Sequence, residues 1–152
     1  MHCSCCGNDR EGVVALRCHD SVRICRDCIG WLRTQAEVVD ATPILPVADM
    51  GSAIAFYERA GFQVREYEGG GYAFVHYDHE SVFDLGVVDR PAAAGAEAAG
   101  CYLTVPDVEG WHARLGATGL AVSGLDDKPW GMREFTLTDR DGNALRIGQR
   151  SS

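Results

Sequence analysis

Two cysteine pairs carry the most direct chemistry in this 152-residue chain: Cys3-x2-Cys6 and Cys25-x2-Cys28, with 18 residues between them. Each pair lets two thiolates reach one ion at ~2.3 Å, and together they can close a tetrahedral four-thiolate zinc site. Six of the seven cysteines fall within the first 28 residues, a segment too short to bury that many sulfurs in an apolar core. The opening residues form no secretion signal, so the clustering points to metal rather than disulfides and the expected location is the cytoplasm. A closed site leaves no position for water, which makes the zinc structural rather than catalytic. Cys5, between two ligands, and the adjacent Cys18 and His19 are alternates that could replace a ligand or support a second ion. Cys101, the remaining cysteine, has no His or Asn neighbour to activate it and reads as a buried, inert thiol.

Charge narrows the partners. The net charge is −8, and residues 41–152 hold nine Lys/Arg against sixteen Asp/Glu, whereas residues 1–40 hold five against six. An acidic surface repels phosphate backbones and favours a cationic small molecule, which argues against nucleic acid as the partner. No apolar run approaches the ~20 residues of a membrane span.

The elements that must position these groups follow from the patterning. Ile29–Glu37 reads as a helix ending before Pro43, since a residue preceding proline is pushed out of the helical region. Beyond it the sequence repeats with a shift of 58 residues, which lays Leu45 on Leu103, Val47 on Val105, Asp49 on Asp107 and Gly61 on Gly119. Both copies read strand, Asp, helix, Gly: the aspartate caps the helix N-terminus and the glycine takes the left-handed conformation after its end. Met50, Ala53, Ile54, Tyr57 and Ala60 form one apolar helical face, and Val108, Trp111 and Leu115 the other. Strands are expected over Gln63–Glu68, Tyr72–Tyr77 and Ser81–Val88, then over Ala121–Gly124, Arg133–Thr138 and Ala144–Gly148, with 125–132 as a long polar loop. The low-complexity run 90–100 reads as a linker.

The first 35 residues or so resemble the zinc-binding domain of the Clp-protease unfoldase. The resemblance implies a treble-clef-like knuckle, ligands at Cys3, Cys6, Cys25 and Cys28, and a role in dimerisation or docking of a protein partner. Leu45-Pro-Val-Ala-Asp49, Ala55-Phe-Tyr-Glu-Arg-Ala-Gly-Phe62 and Asp139-Arg-Asp-Gly-Asn143 resemble the vicinal-oxygen-chelate superfamily, which includes glyoxalase I, extradiol dioxygenases and bleomycin-resistance proteins. Lys128-Pro-Trp-Gly-Met-Arg-Glu-Phe135 is most similar to the bleomycin-resistance branch. The implied fold class is α+β: paired βαβββ units, about 41–90 and 99–149, in a domain spanning 41–152 behind a zinc-bound module of residues 1–40.

Metal chemistry in this superfamily uses a His, Gln or Glu on the first strand and a carboxylate on the last strand of each unit. The corresponding places here are Thr42, a position near Asp84 or Gly86, Gly100 and Arg146, so no metal is expected in the cleft. His76, His79 and His112 are expected to be solvent-facing or satisfied by hydrogen bonds. The resemblance implies instead a homodimer that sequesters a cationic, flat aromatic antibiotic. Trp130 matches the family tryptophan, Tyr72 with Phe74 stands near the second flanking aromatic, and Glu66, Glu68, Asp126 and Asp127 would supply a negative field. Two other uses of the fold are a metal-dependent enzyme on a small metabolite and a ligand sensor whose zinc module docks a protein.

Overall fold

The computed structural model describes residues 3, 14–16, 19–25, 27–30, 41–89 and 97–151. The chain divides into two compact units, Met1–Ala41 and Thr42–Ser152. In the first, strands β1 (Val14–Leu16) and β2 (His19–Ile24) pair antiparallel with a register shift at Ala15/Leu16, and residues 27–30 form a helical turn. Most of the expected helix over Ile29–Glu37 lies outside the described residues.

The second unit contains the repeat. Its first half runs β3 (Ile44–Val47), α1 (Met50–Arg59), β4 (Gln63–Glu66), β5 (Tyr72–Tyr77) and β6 (Glu80–Val87). Its second half runs β7 (Gly100–Thr104), α2 (Val108–Ala117), β8 (Asp126–Lys128), β9 (Met132–Thr138) and β10 (Ala144–Arg150). The sheets have the same order, β3-β6-β5-β4 and β7-β10-β9-β8, and in each the first strand lies parallel to the last while the other pairs are antiparallel. The fold is therefore α+β with two mixed four-stranded βαβββ sheets.

The capping chemistry explains why both helices begin where they do. Asp49 accepts from Ser52 N at 2.8 Å and Asp107 from Gly110 N at 2.9 Å, each satisfying an orphan donor of the first turn. Past the helix ends, Gly61 and Gly119 sit at φ 92° and 74°, where a Cβ would be strained. The β5–β6 hairpin turns at Asp78 and His79, both with positive φ, as a tight two-residue turn requires.

One expectation fails. Ala121–Gly124 forms no strand and contributes a single bridge, Val122 to Leu137, while the short strand β8 lies at Asp126–Lys128, inside the expected loop. Its acids are held by cross-strand and local charge: Arg133 lies opposite Asp127 and reaches its carboxylate at 3.0 Å, and Lys128 reaches Asp126 at 2.9 Å. An edge strand of charged residues also resists pairing with another chain.

Alternation along the strands puts Leu45, Val47, Val75 and Leu85 of the first half and Leu137, Leu145 and Ile147 of the second into one core, closed by Tyr57 of α1 and Trp111 and Leu115 of α2. Each such side chain contributes roughly 1.5–3 kcal/mol on burial. Cys101 belongs to this core, and burial pushes its thiol up to about 11, which keeps it protonated and unreactive near neutrality.

Candidate functional site

In each sheet the face opposite the core carries polar residues together with the rings of Tyr72, Phe74 and Tyr102, while Phe83 and Phe135 face the core. Ile44 lies opposite Asp84 on β6, and Tyr102, which is Ile44 shifted by 58, lies opposite Arg146 on β10. Asp84 and Arg146 therefore occupy the same place in the two halves, on the two last strands. The Arg146 guanidinium packs against Gly100, where a Cβ would stand 2.9 Å from its Nη1, and it pairs with Glu97 at 2.7 Å. The four family ligand places thus hold a threonine, one carboxylate, a glycine and a guanidinium. That donor set does not fit a divalent cation.

Two tyrosine–carboxylate pairs lie on these faces, and neither is apparent from sequence. Tyr72 donates to Asp84 Oδ2 at 2.6 Å, and Tyr102 donates to Glu134 Oε2 at 2.7 Å. Both carboxylates are buried, Asp84 at 8% exposure and Glu134 at 7%. Among the described residues Asp84 Oδ1 has no hydrogen-bond partner. The hydrogen bond to Asp84 raises the Tyr72 phenol above its ordinary value; burial, and then the bond to Glu134, push Tyr102 up to about 12. Both hydroxyls therefore stay protonated donors at neutral pH. The partners are 12 and 32 residues apart and meet only through strand pairing. The available signal was parity: Tyr72 and Asp84 fall on the non-core positions of strands with period two.

The residues expected to bind ligand are distributed as follows. Tyr72 and Phe74 form an edge-to-face pair with centroids 5.5 Å apart, and Arg65 on β4 stacks over Phe74 at 4.9 Å. Glu66 ends β4 and is exposed, as is Glu68 in the following turn. Trp130 sits in the β8–β9 turn, which is closed by Gly131 N donating to Lys128 O; its side chain is 65% exposed. Among the described residues no ring contact joins Trp130 to Tyr72 or Phe74. Asp126 and Asp127 are partnered by Lys128 and Arg133, and the Lys128 hydrogen bond holds the Asp126 carboxyl below its usual range. His112 is satisfied through Nε2 against the Ser123 carbonyl at 3.0 Å.

In the N-terminal unit the Cys3, Cys25 and Cys28 Sγ atoms lie within 4.8 Å of one another, and the three residues are buried. Cys3 and Cys28 Sγ are 3.9 Å apart, close to the ~3.8 Å edge of a tetrahedron of thiolates at ~2.3 Å from one ion. Cys25 N donates to Cys3 Sγ at 3.2 Å, a bond that lowers the charge density on the sulfur. Cys6, Cys5 and Cys18 lie outside the described residues, and so does the side chain of His19.

With this architecture in place, the comparisons define the class. The chain belongs to the glyoxalase/bleomycin resistance protein/dioxygenase superfamily, whose sequence pattern matches residues 36–147. The fold is shared with a bleomycin-binding protein solved in complex with bleomycin: 23% identity, TM-score 0.65, 75% of this chain and 100% of the other. It is also shared with a bleomycin resistance determinant encoded on the transposon Tn5, at 24% identity, TM-score 0.66, 76% of this chain and 100% of that one. A third is TnmS3, an antibiotic binding protein from Streptomyces sp. CB03234, at 28% identity, TM-score 0.58, 76% of this chain and 100% of that one. No curated protein is similar enough to the chain to count as a match. No described helix is long and apolar enough to cross a membrane.

Proposed function

We infer that the chain binds and sequesters a flat, cationic aromatic antibiotic of the bleomycin type and performs no chemistry on it. The observation that carries this reading is Trp130, a large ring held 65% exposed on a short turn of a fold shared with bleomycin-binding proteins. An exposed indole gains several tenths to ~1.5 kcal/mol by stacking on a second ring, beyond what burial alone contributes. Tyr72 and Phe74 supply the second ring. We read the clamp as completed across a homodimer. Glu66 and Glu68 supply the negative field; Asp126 and Asp127, each already paired with a cation, contribute less.

The N-terminal unit is read as a structural zinc module, with Cys3, Cys25 and Cys28 as three ligands and Cys6 as the fourth, available to a protein partner. The donor set at the four family places speaks against the metal-dependent enzyme. Quenching of tryptophan fluorescence by metal-free bleomycin, with zinc counted by atomic emission, tests both parts. Saturable quenching weakened at least tenfold in Trp130→Ala, with one zinc per chain retained, is the expected result. Equal affinity in the two proteins rejects the clamp.

A further inference from the structure

We propose that the chain has a second ligand site, independent of the Trp130 clamp: a hollow between the two halves that takes a planar aromatic cation of two or three fused rings. The cavity measures about 370 Å3, within the ~300–1,000 Å3 range of small-molecule pockets. Phe62, Tyr77 and Val82 of the first half and Tyr102, Thr104 and Trp111 of the second line it, so five of these six walls are aromatic or apolar. Phe62 and Trp111 have centroids 6.1 Å apart, and Tyr77 and Trp111 4.6 Å, which makes one side of the hollow a continuous aromatic surface.

The polar end of the site is built rather than incidental. Tyr102 is 42% exposed, yet its hydroxyl is fixed by the buried Glu134 carboxylate, and its ring lies across Gly148, where any Cβ would overlap the hydroxyl. A glycine in mid-strand weakens the strand, and its presence here marks a close approach that holds the ring. Glu134 places a negative charge one hydrogen bond behind the wall. The aromatic faces present the negative side of their quadrupoles. The Arg114 guanidinium stacks over Trp111 at 4.2 Å and over Tyr77 at 5.8 Å from outside the lining of the hollow, so these ring faces accept a planar cation, although its charge acts against a second one. Shape and apolar walls select a planar ligand, and the ring quadrupoles with Glu134 favour a cation over an anion of the same shape.

The test uses the full zinc-loaded chain and two three-ring probes, 9-aminoacridine, cationic at neutral pH, and anthracene-9-carboxylate, anionic, titrated by fluorescence. The expected result, in a chain carrying Trp130→Ala so that the clamp cannot report, is one 9-aminoacridine per chain, bound at least tenfold more tightly than the carboxylate. Val82→Trp, which fills the hollow, is expected to lower that affinity at least tenfold, and Glu134→Gln to erase most of the preference for the cation. Should Val82→Trp fail to fold by circular dichroism, Thr104→Trp fills the hollow from the opposite wall. The titrations are made in Trp130→Ala, which removes the ring of the clamp and leaves the hollow intact, because Trp130 is not part of it; bleomycin binding can thus fail while this site survives, and the reverse. Absence of 9-aminoacridine binding in Trp130→Ala, equal affinity for the two probes, or undiminished binding when the hollow is filled in that background overturns the proposal.

Discussion

The two halves of the second unit meet at two places related by the internal repeat, and the two meetings use opposite chemistry. At one, Tyr57 of α1 donates to Asp139 Oδ2 at 2.7 Å just beyond the end of β9. Asp139 also accepts from Asn143 Nδ2 at 2.7 Å, from Asn143 N at 2.8 Å and from Asp141 N at 2.9 Å. Asn143 then crosses to the Pro46 carbonyl at 2.8 Å, and Asp141 accepts from Ala48 N at 3.1 Å. At the other, the repeat replaces Tyr57 with Leu115, and Tyr77 closes β5 where Asp139 follows β9. Among the described residues no carboxylate takes the place of Asp139 there; Phe62 meets Tyr77 edge to face, Tyr77 and Trp111 lie tilted at 45°, and they leave the hollow. One junction is a polar lock around a carboxylate with four donors and the other an apolar, partly open seam. A buried carboxylate with four donors fixes a single geometry, whereas aromatic contacts tolerate an occupant.

The sharpest way to break the contrast is to remove the centre of the lock. Asp139→Ala leaves the Tyr57 hydroxyl and the Asn143 and Asp141 donors without their acceptor and is expected to cost about 3–5 kcal/mol in urea denaturation. A loss below 1 kcal/mol means the lock does not hold the halves. At the seam, Trp111→Ala deletes a core indole whose removal costs ~3 kcal/mol, at the low end for such changes because the site already opens to solvent. Tyr57→Phe keeps the ring and removes one donor from a buried carboxylate, for ~2 kcal/mol.

The smallest effect is on pH dependence. Burial raises the Tyr57 phenol, with the Asp139 charge adding to it, and burial followed by the Glu134 bond raises Tyr102 to about 12 from an ordinary value of 10.0. A tyrosine whose folded value is raised stabilises the fold fully below pH 10 and loses that contribution as pH climbs toward its folded value. Stability is therefore expected to fall between pH 10 and 12, and more gently in Tyr102→Phe; a flat alkaline profile contradicts the environment assigned to Tyr102.

Much of this architecture was legible in the sequence because it depends on local rules. The 58-residue repeat, the capping Asp49 and Asp107, and the glycines at 61 and 119 are each dictated by backbone chemistry near one residue. Strand β8 was not legible: Asp126-Asp127-Lys128 has low strand preference, and it pairs with β9 because Arg133 across the ladder answers its charge. Ala121–Gly124 has a more strand-like composition, yet it forms only the bridge at Val122. The site divides in the same way. Trp130 stands out beside Pro129 and Gly131, whereas the Tyr72–Asp84 and Tyr102–Glu134 pairs exist only once the register is set. The lock reaches across 82 residues from Tyr57 to Asp139, further than any motif extends.

The central claim, sequestration without chemistry, is tested most directly by isothermal titration of the zinc-loaded chain with metal-free bleomycin, followed by mass analysis of the recovered drug. The account predicts saturable binding and a drug of unchanged mass. No heat of binding, or a drug recovered with altered mass, contradicts it.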